Sequence, residues 1–229
     1  MLERSTSFSL LASIFVGLAA LGCVDPDGDY TDFRDRDEKT KPFIPDAGGD
    51  GGALCDPALG TAACDAPTVA DTEGQWLFAL STPLGPTKPI LFFADIVVTE
   101  SGGGIEWTWT IRPLDAKTRA PLAALPELPP STVPATGEWS ADLPILAVPG
   151  AANPISFSDV EADTALTGKV CGGRQFLCGD VTGAVTKLGG NPTNIPIDGS
   201  TWTLARLETP DTAPETIFVS CECAQADKI

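Results

Sequence analysis

From about residue 74 onward, short stretches of apolar residues alternate with turn-forming residues, and within the stretches the apolar positions recur with the two-residue period of β-strands. Segment 105–112 is the clearest case, because Trp107 and Trp109 fall on one face of the strand and charged and hydroxyl side chains on the other. Segment 90–99 is apolar on both faces except at Asp95. It is therefore predicted to be a central strand that is covered on both sides.

The rest of this region gives the same picture. Further strands are predicted at 75–81, 137–141, 155–157, 164–170, 176–186, 200–207 and 216–223. The Pro-rich passage 121–134 is predicted to interrupt the sheet and cross the surface as an extended loop. No helical period separates the strands. We therefore predict an all-β domain over residues 53–229, either a single antiparallel β-barrel or a β-sandwich of about eight strands.

Residues 23–52 have a different composition. They are charged, rich in glycine and nearly free of β-branched residues, so they cannot bury enough apolar surface to offset the entropy of ordering. We predict a flexible acidic linker that holds the domain on the order of 30 Å from its attachment point. The acidic cluster at 25–29 also suggests a calcium loop, but its glycine is fourth, whereas an EF-hand has it sixth. We therefore expect no metal and no cofactor.

The first 22 residues contain a largely apolar run, 8–21, that leads through Gly22 to Cys23. About 14 residues are too few for a membrane-spanning helix, which needs about 20, and fit the apolar part of a secretory signal. A run that leads through a small residue to cysteine resembles the lipobox of bacterial lipoproteins. The resemblance implies cleavage after residue 22, lipidation of Cys23 and attachment to a membrane. Soluble secretion by an ordinary signal peptide is the alternative.

The residue after Cys23 bears on location. In lipoproteins of the enterobacterial type an aspartate at that position retains the protein at the inner membrane. This chain has Val24 instead. The resemblance therefore implies a lipid-anchored protein of the cell envelope, at the outer membrane.

Cysteine usage agrees with export. The chain has seven cysteines, and an odd number leaves one unpaired. Setting Cys23 aside for lipid leaves six that can all pair in an oxidising compartment: Cys55, Cys64, Cys171, Cys178, Cys221 and Cys223. We prefer a Cys171–Cys178 disulfide across a hairpin, with the first two cysteines each joined to one of the last two. The Cys-x-Cys at 221–223 has a redox or metal element as its alternative.

Charge and residue types argue against several functions. The net charge of −17 disfavours binding to nucleic acid. The chain has no histidine, the commonest general base and metal ligand, and no Gly-x-Ser-x-Gly elbow. Asp95 is the carboxylate with the most apolar sequence neighbours, although an ion pair with Arg112 or Arg206 is the simpler expectation. Glu106 beside Trp107 suggests sugar binding, but alternating tryptophans are more typical of a core. We predict no enzymatic activity.

The first predicted strand opens with Gly74, Gln75 and Trp76, which resembles the Gly-x-Trp start of the calycins, the lipocalin and avidin group. The resemblance implies a closed barrel in which an arginine of the last strand, here Arg206, packs on Trp76 through a cation–π contact. It covers only these residues. The Pro-rich passage and a predicted strand after Arg206 depart from the family pattern.

Two functions follow. The first, which we prefer, is a structural or interaction module that contacts a protein partner through its surface. The second is a carrier of a small apolar ligand, which the calycin resemblance implies and in which Trp76, Trp107, Trp109, Asp95 and Arg206 are the candidate ligand or barrel-closing residues. A carrier needs a lumen of several hundred Å³, which tryptophans would fill.

Overall fold

The computed structural model describes residues 55–56 and 64–227, so the predicted signal peptide, Cys23 and the linker lie outside the described residues. In this part of the chain a one-turn helix, α1 (Val69–Thr72), precedes nine strands and one 3-10 turn, Gly150–Ala152. The strands are β1 (Gly74–Ser81), β2 (Ile90–Ser101), β3 (Gly104–Pro113), β4 (Ser131–Pro134), β5 (Glu138–Val148), β6 (Val160–Lys169), β7 (Phe176–Leu188), β8 (Asn191–Pro196) and β9 (Ser200–Arg206).

The strands form one antiparallel sheet in the order β4-β3-β2-β1-β9-β7-β6-β5, with β8 paired to β7 outside that path. Consecutive strands are neighbours almost throughout, and β9 returns to pair with β1, so the sheet curls into a nearly closed barrel. Its two end strands meet through side chains, because the Trp139 indole of β5 donates a hydrogen bond of 3.0 Å to the Ser131 hydroxyl of β4. The predicted all-β class is confirmed.

Tryptophans fill the interior of the barrel. Trp139 lies at their centre, with its ring centroid 5.3 Å from that of Trp107, 6.0 Å from that of Trp109 and 5.2 Å from that of Trp202. Their inward direction follows from the alternation along each strand, as predicted for β3. The other large, fully buried side chains of this cluster are Trp76, Phe78, Phe92, Ile111, Leu143, Leu166 and Leu204.

Two glycines make room for the largest of these rings. Gly168 of β6 and Gly179 of β7 face each other across the sheet, between Trp139 on one side and Trp202 on the other. A Cβ at Gly168 would lie 2.6 Å from the Trp202 ring, and one at Gly179 would lie 2.7 Å from its indole nitrogen. The Trp202 indole therefore lies over bare backbone and donates to the carbonyl of Thr167 at 2.9 Å.

The C-terminal segment 207–227, which we call the strap, covers part of the outer face of the barrel. Ile217 of the strap packs with Leu77 and Phe93, which point outward from β1 and β2. The hydroxyl of Thr203 on β9 donates to the carbonyl of Phe218 at 2.8 Å. The strap explains the apolar outer face of segment 90–99 at Leu91 and Phe93, and the predicted central position of this strand, between β1 and β3, is confirmed. Beyond Asp95 the outer face is not covered, since Val97 is 59% exposed.

Two predicted strands are wrong. Segment 155–157 belongs to a loop, in which Phe157 has a φ of 53° that no strand residue adopts. Segment 216–223 is part of the strap and makes only an isolated bridge, Phe218 to Gln225, because the chain turns back on itself between them. The strap is instead held by side chains and disulfides.

Two segments form strand pairings that the sequence did not predict. β8 contains Pro192 and Pro196, which the sheet tolerates because β8 is an edge strand paired only with β7. The Pro-rich passage 121–134 is not a surface loop throughout. Its last four residues form β4, and before them the backbone N–H groups of Leu122, Leu125 and Leu128 donate to carbonyls of β3 at 2.8–3.1 Å.

All six cysteines of the domain are paired, as predicted. The disulfides within the described residues are Cys55–Cys223, Cys64–Cys171 and Cys178–Cys221. The preferred Cys171–Cys178 bridge is wrong, because Cys178 lies opposite Lys169 in the register and faces the strap. Cys55 does join the C-terminal pair, but Cys64 does not.

Candidate functional site

One end of the barrel is closed around Arg206. Arg206 and Trp76 are register partners on β9 and β1, and the guanidinium carbon lies 5.4 Å from the centroid of the Trp76 ring. The two guanidinium nitrogens donate to the carbonyls of Asp71 and Glu73, each at 2.7 Å. The Trp76 indole donates to the carbonyl of Thr72 at 3.0 Å. The expected cation–π contact is present, and it fastens α1 across this end.

The local sequence fixes those carbonyls. Thr68 caps α1, and its side chain and that of Asp71 form a capping box. Gly74 then turns the chain with a φ of +128°, and a Cβ there would lie 3.2 Å from a guanidinium nitrogen of Arg206. The residue that opens the Gly-x-Trp sequence is therefore needed for both its backbone angle and its small size. This arrangement holds α1 across the end of the barrel, and it presents no reactive group.

Asp95 belongs to a polar cluster on the outer face. Its carboxylate lies 3.3 Å from the guanidinium of Arg112 and accepts a 2.8 Å hydrogen bond from the amide of Gln75. Arg112 also contacts Asp211 of the strap at 2.6 Å. Partial burial lowers the pKa of Arg112, but the hydrogen bond to Asp211 and the two carboxylate charges outweigh it, so its pKa lies above the ordinary value.

The Asp95 side chain is 46% exposed, so the apolar neighbours along its strand do not bury it. Of the two partners expected for it, the structure gives Arg112. The cluster ties the strap to β2 and β3, and its groups are all engaged with one another.

Trp107 and Trp109 face the barrel interior, and both are almost fully buried. Among the described residues neither indole N–H has an acceptor within hydrogen-bonding distance. Glu106 points to the opposite face of β3, since side chains alternate along a strand. Glu106 and Trp107 therefore cannot contact one sugar together, and the alternative of a sugar site there is wrong.

The outer surface carries two adjoining depressions over β5, β6 and β7, with volumes of ≈ 200 and ≈ 500 Å³. We call them together the outer depression. Both include Gly168, Lys169 and Asp180, and the smaller also includes Cys178 and Cys221. The Lys169 ammonium pairs with the Glu138 carboxylate at 3.3 Å.

Sequence reasoning missed Lys169 and Asp180, because each is an isolated charge on a strand and only cross-strand register brings them together. The Cys221-x-Cys223 alternative is also resolved, since the two cysteines belong to different disulfides. Within residues 55–56 and 64–227 no group of three or more metal-ligating side chains is placed to hold an ion. In the same part of the chain, no helix has the length and apolar character to cross a membrane.

Comparisons of the chain with protein-family models, with curated proteins and with solved structures found no match.

Proposed function

We propose that this protein is a lipid-anchored component of a bacterial cell envelope whose β-barrel domain works without catalysis, through contacts of its outer surface. The anchor is the acylated Cys23, and Val24 favours the outer membrane. Support for the anchor comes from the sequence around Cys23 and from the six paired cysteines of the domain, which suit an exported protein.

The observation that carries the surface role is the packing of the barrel interior. All five tryptophans of the chain are buried, and four of them form a connected group centred on Trp139. A carrier would keep that space open for its ligand. The outer depression, by contrast, lies over β5, β6 and β7. The partner we propose is therefore a protein rather than nucleic acid, which the net charge of −17 disfavours.

A calycin-like carrier is the second candidate, and two observations favour it. The barrel is an up-and-down meander in which β9 closes on β1, and Arg206 lies over Trp76 as the resemblance implies. Both concern the fold and the closed end of the barrel. Neither provides a space for a ligand, so we rank this function below surface interaction.

Tryptophan fluorescence separates the two candidates. The mature chain is titrated with a long-chain fatty acid and with retinol, and emission from the buried indoles is followed. We expect no saturable quenching at low micromolar ligand, because a filled interior gives the ligand no place to bind. N-acetyltryptophanamide titrated in parallel corrects for nonspecific quenching. Saturation at low micromolar concentration would support the carrier and contradict the surface role.

A further inference from the structure

The three disulfides of the described residues differ in exposure. In two of them one cysteine is buried, Cys55 at 5% and Cys171 at 2% exposure. In the third, Cys178–Cys221, both cysteines are half-buried and both line the smaller part of the outer depression. Of these three disulfides it is the one with no buried cysteine, and both of its residues line the outer depression.

Exposure of both sulfurs matters because of how disulfides exchange. An attacking thiolate displaces one sulfur, and the other leaves as a thiolate. A thiolate released into apolar surroundings is a poor leaving group, because burial disfavours the charged form. Attack on Cys223 would release a thiolate at Cys55, which packs with Phe176 and Ala205. Cys171, the partner of Cys64, is buried in the same way.

Cys178 packs against the same apolar cluster as Cys55, but it is only half-buried and lines the outer depression. Its register partner on β6 is Lys169, whose side chain is 49% exposed and whose ammonium pairs with Glu138 at 3.3 Å. The depression carries charges of both signs, since Asp56, Asp180 and Arg174 also line it. Of these charged residues, Lys169 is the one directly opposite Cys178 in the strand register. A nearby ammonium stabilises a thiolate and so favours its departure.

We propose that Cys178–Cys221 is a thiol–disulfide exchange site that an external dithiol reduces before the other two disulfides. One thiolate of the dithiol attacks the sulfur of either cysteine, the protein S–S bond breaks, and a mixed disulfide forms while the other cysteine leaves as a thiolate. The second thiol of the reductant then displaces the protein sulfur. Two electrons pass to the protein, both cysteines take up protons, and the reductant ends as a disulfide.

Reduction at this site loosens the strap. Cys221 connects the strap to β7. The strap has a second disulfide, Cys223–Cys55, two residues further along the chain. The part of the strap between β9 and Cys221 contains Ile217, which packs with the outward-facing Leu77 and Phe93. The exchange site therefore controls access to an apolar area of the outer face. This inference does not depend on the lipid anchor.

Timed alkylation tests the order of reduction. The folded mature chain is treated with dithiothreitol for increasing times and quenched with N-ethylmaleimide. The remaining disulfides are then reduced under denaturing conditions and labelled with iodoacetamide for mass spectrometry. We expect maleimide on Cys178 and Cys221 to appear at least about tenfold faster than on the other four cysteines. Another pair reacting first, or all three at one rate, would overturn the proposal.

Two matched lysines test the local charge. Lys169→Gln should slow the reduction of Cys178–Cys221. Lys187→Gln should leave it unchanged, since Lys187 is also ion-paired on the outer face and 48% exposed but is not a register partner of Cys178. Equal rates in both variants would contradict the role given to Lys169.

Hydrogen exchange tests the strap. In the singly reduced protein, the amides of Val219 and Ala226, which are bonded within the strap, should exchange faster than in the oxidised protein. The amide of Leu125, which is bonded to β3, is the internal control. Unchanged exchange at Val219 and Ala226 would refute the loosening of the strap.

Discussion

At the scale of single residues, the interior depends on positions where a side chain is missing as much as on the tryptophans. The row Trp139, Gly168, Gly179 and Trp202 crosses four neighbouring strands, and both glycines would collide with Trp202 if they carried a Cβ. The glycines here have no turn to make. They are strand residues that leave space for an indole, which weakens the strand locally but allows the ring to pack.

This makes a prediction for Gly179→Ala. The new methyl group would lie 2.0 Å from the carbonyl oxygen of Thr167 and 2.7 Å from the Trp202 nitrogen, so β6 or the indole has to move. We expect the free energy of unfolding in urea to fall by about 1–3 kcal/mol. Gly102→Ala is the matched control, because a Cβ at Gly102 meets nothing within 4 Å. Similar losses in the two variants would show that crowding against Thr167 and Trp202 is not the cause.

At the scale of elements, the loops at the end of the barrel opposite Arg206 are ordered by side chains that bond to the backbone. Asp115 is the clearest example. Its carboxylate accepts hydrogen bonds from the backbone N–H of Thr118 at 2.8 Å and of Lys117 at 2.9 Å. The neighbouring Ala116 N–H donates to the carbonyl of Ala151, so the turn at 115–119 is fixed against the loop that follows β5.

A pH dependence follows from this turn. The hydrogen bonds from Thr118 and Lys117 lower the pKa of Asp115 below its ordinary value, because they favour the charged carboxylate. The folded pKa is then below the unfolded pKa. The stability that the charged Asp115 carboxylate contributes is complete above about pH 4, the ordinary range for an aspartate. It is lost as the pH falls through the folded pKa. Carboxyl NMR titration of Asp115 in the folded chain and in urea measures both values. A folded pKa equal to or above the unfolded one would contradict the prediction.

Elements also show where sequence patterns are informative. β3 follows directly from its alternation, and β1 and β2 follow from short apolar stretches bounded by turn residues. β8 could not be predicted in this way, since Pro192 argues against a strand until its edge position is known. The alternation of β3 predicted that Trp107 and Trp109 share a face and favoured that face as the core, and both tryptophans are buried in the barrel interior.

At the scale of the whole molecule, the features that escaped prediction are those set by distant segments. The partner of Cys178 depends on where the strap crosses the outer face, and the strap begins only after the last strand of the barrel. The outer depression likewise depends on the register of β5, β6 and β7. By contrast, the Arg206–Trp76 contact was predicted from a resemblance, and the pairing of all six domain cysteines from their number.

The disulfides also place the start of the domain. Cys55 is joined to Cys223, so the residues that follow the predicted linker are fastened beside the strap, close to β7 and β9 through Phe176 and Ala205. This arrangement suits a domain attached at its N-terminal side, as proposed.

The last prediction concerns that attachment. Cys23→Ala removes the sulfur that would carry the lipid, and we expect the protein to leave the membrane fraction of the expressing bacterium, because acyl chains rather than a protein span hold it there. Val24→Ala, which keeps the cysteine, should stay membrane-bound. Mass spectrometry of the native N-terminal peptide should show a diacylglyceryl group on Cys23. Membrane retention of Cys23→Ala would contradict an anchor made by the lipid, whereas an unmodified Cys23 in the native protein would leave soluble secretion as the explanation of the apolar leader.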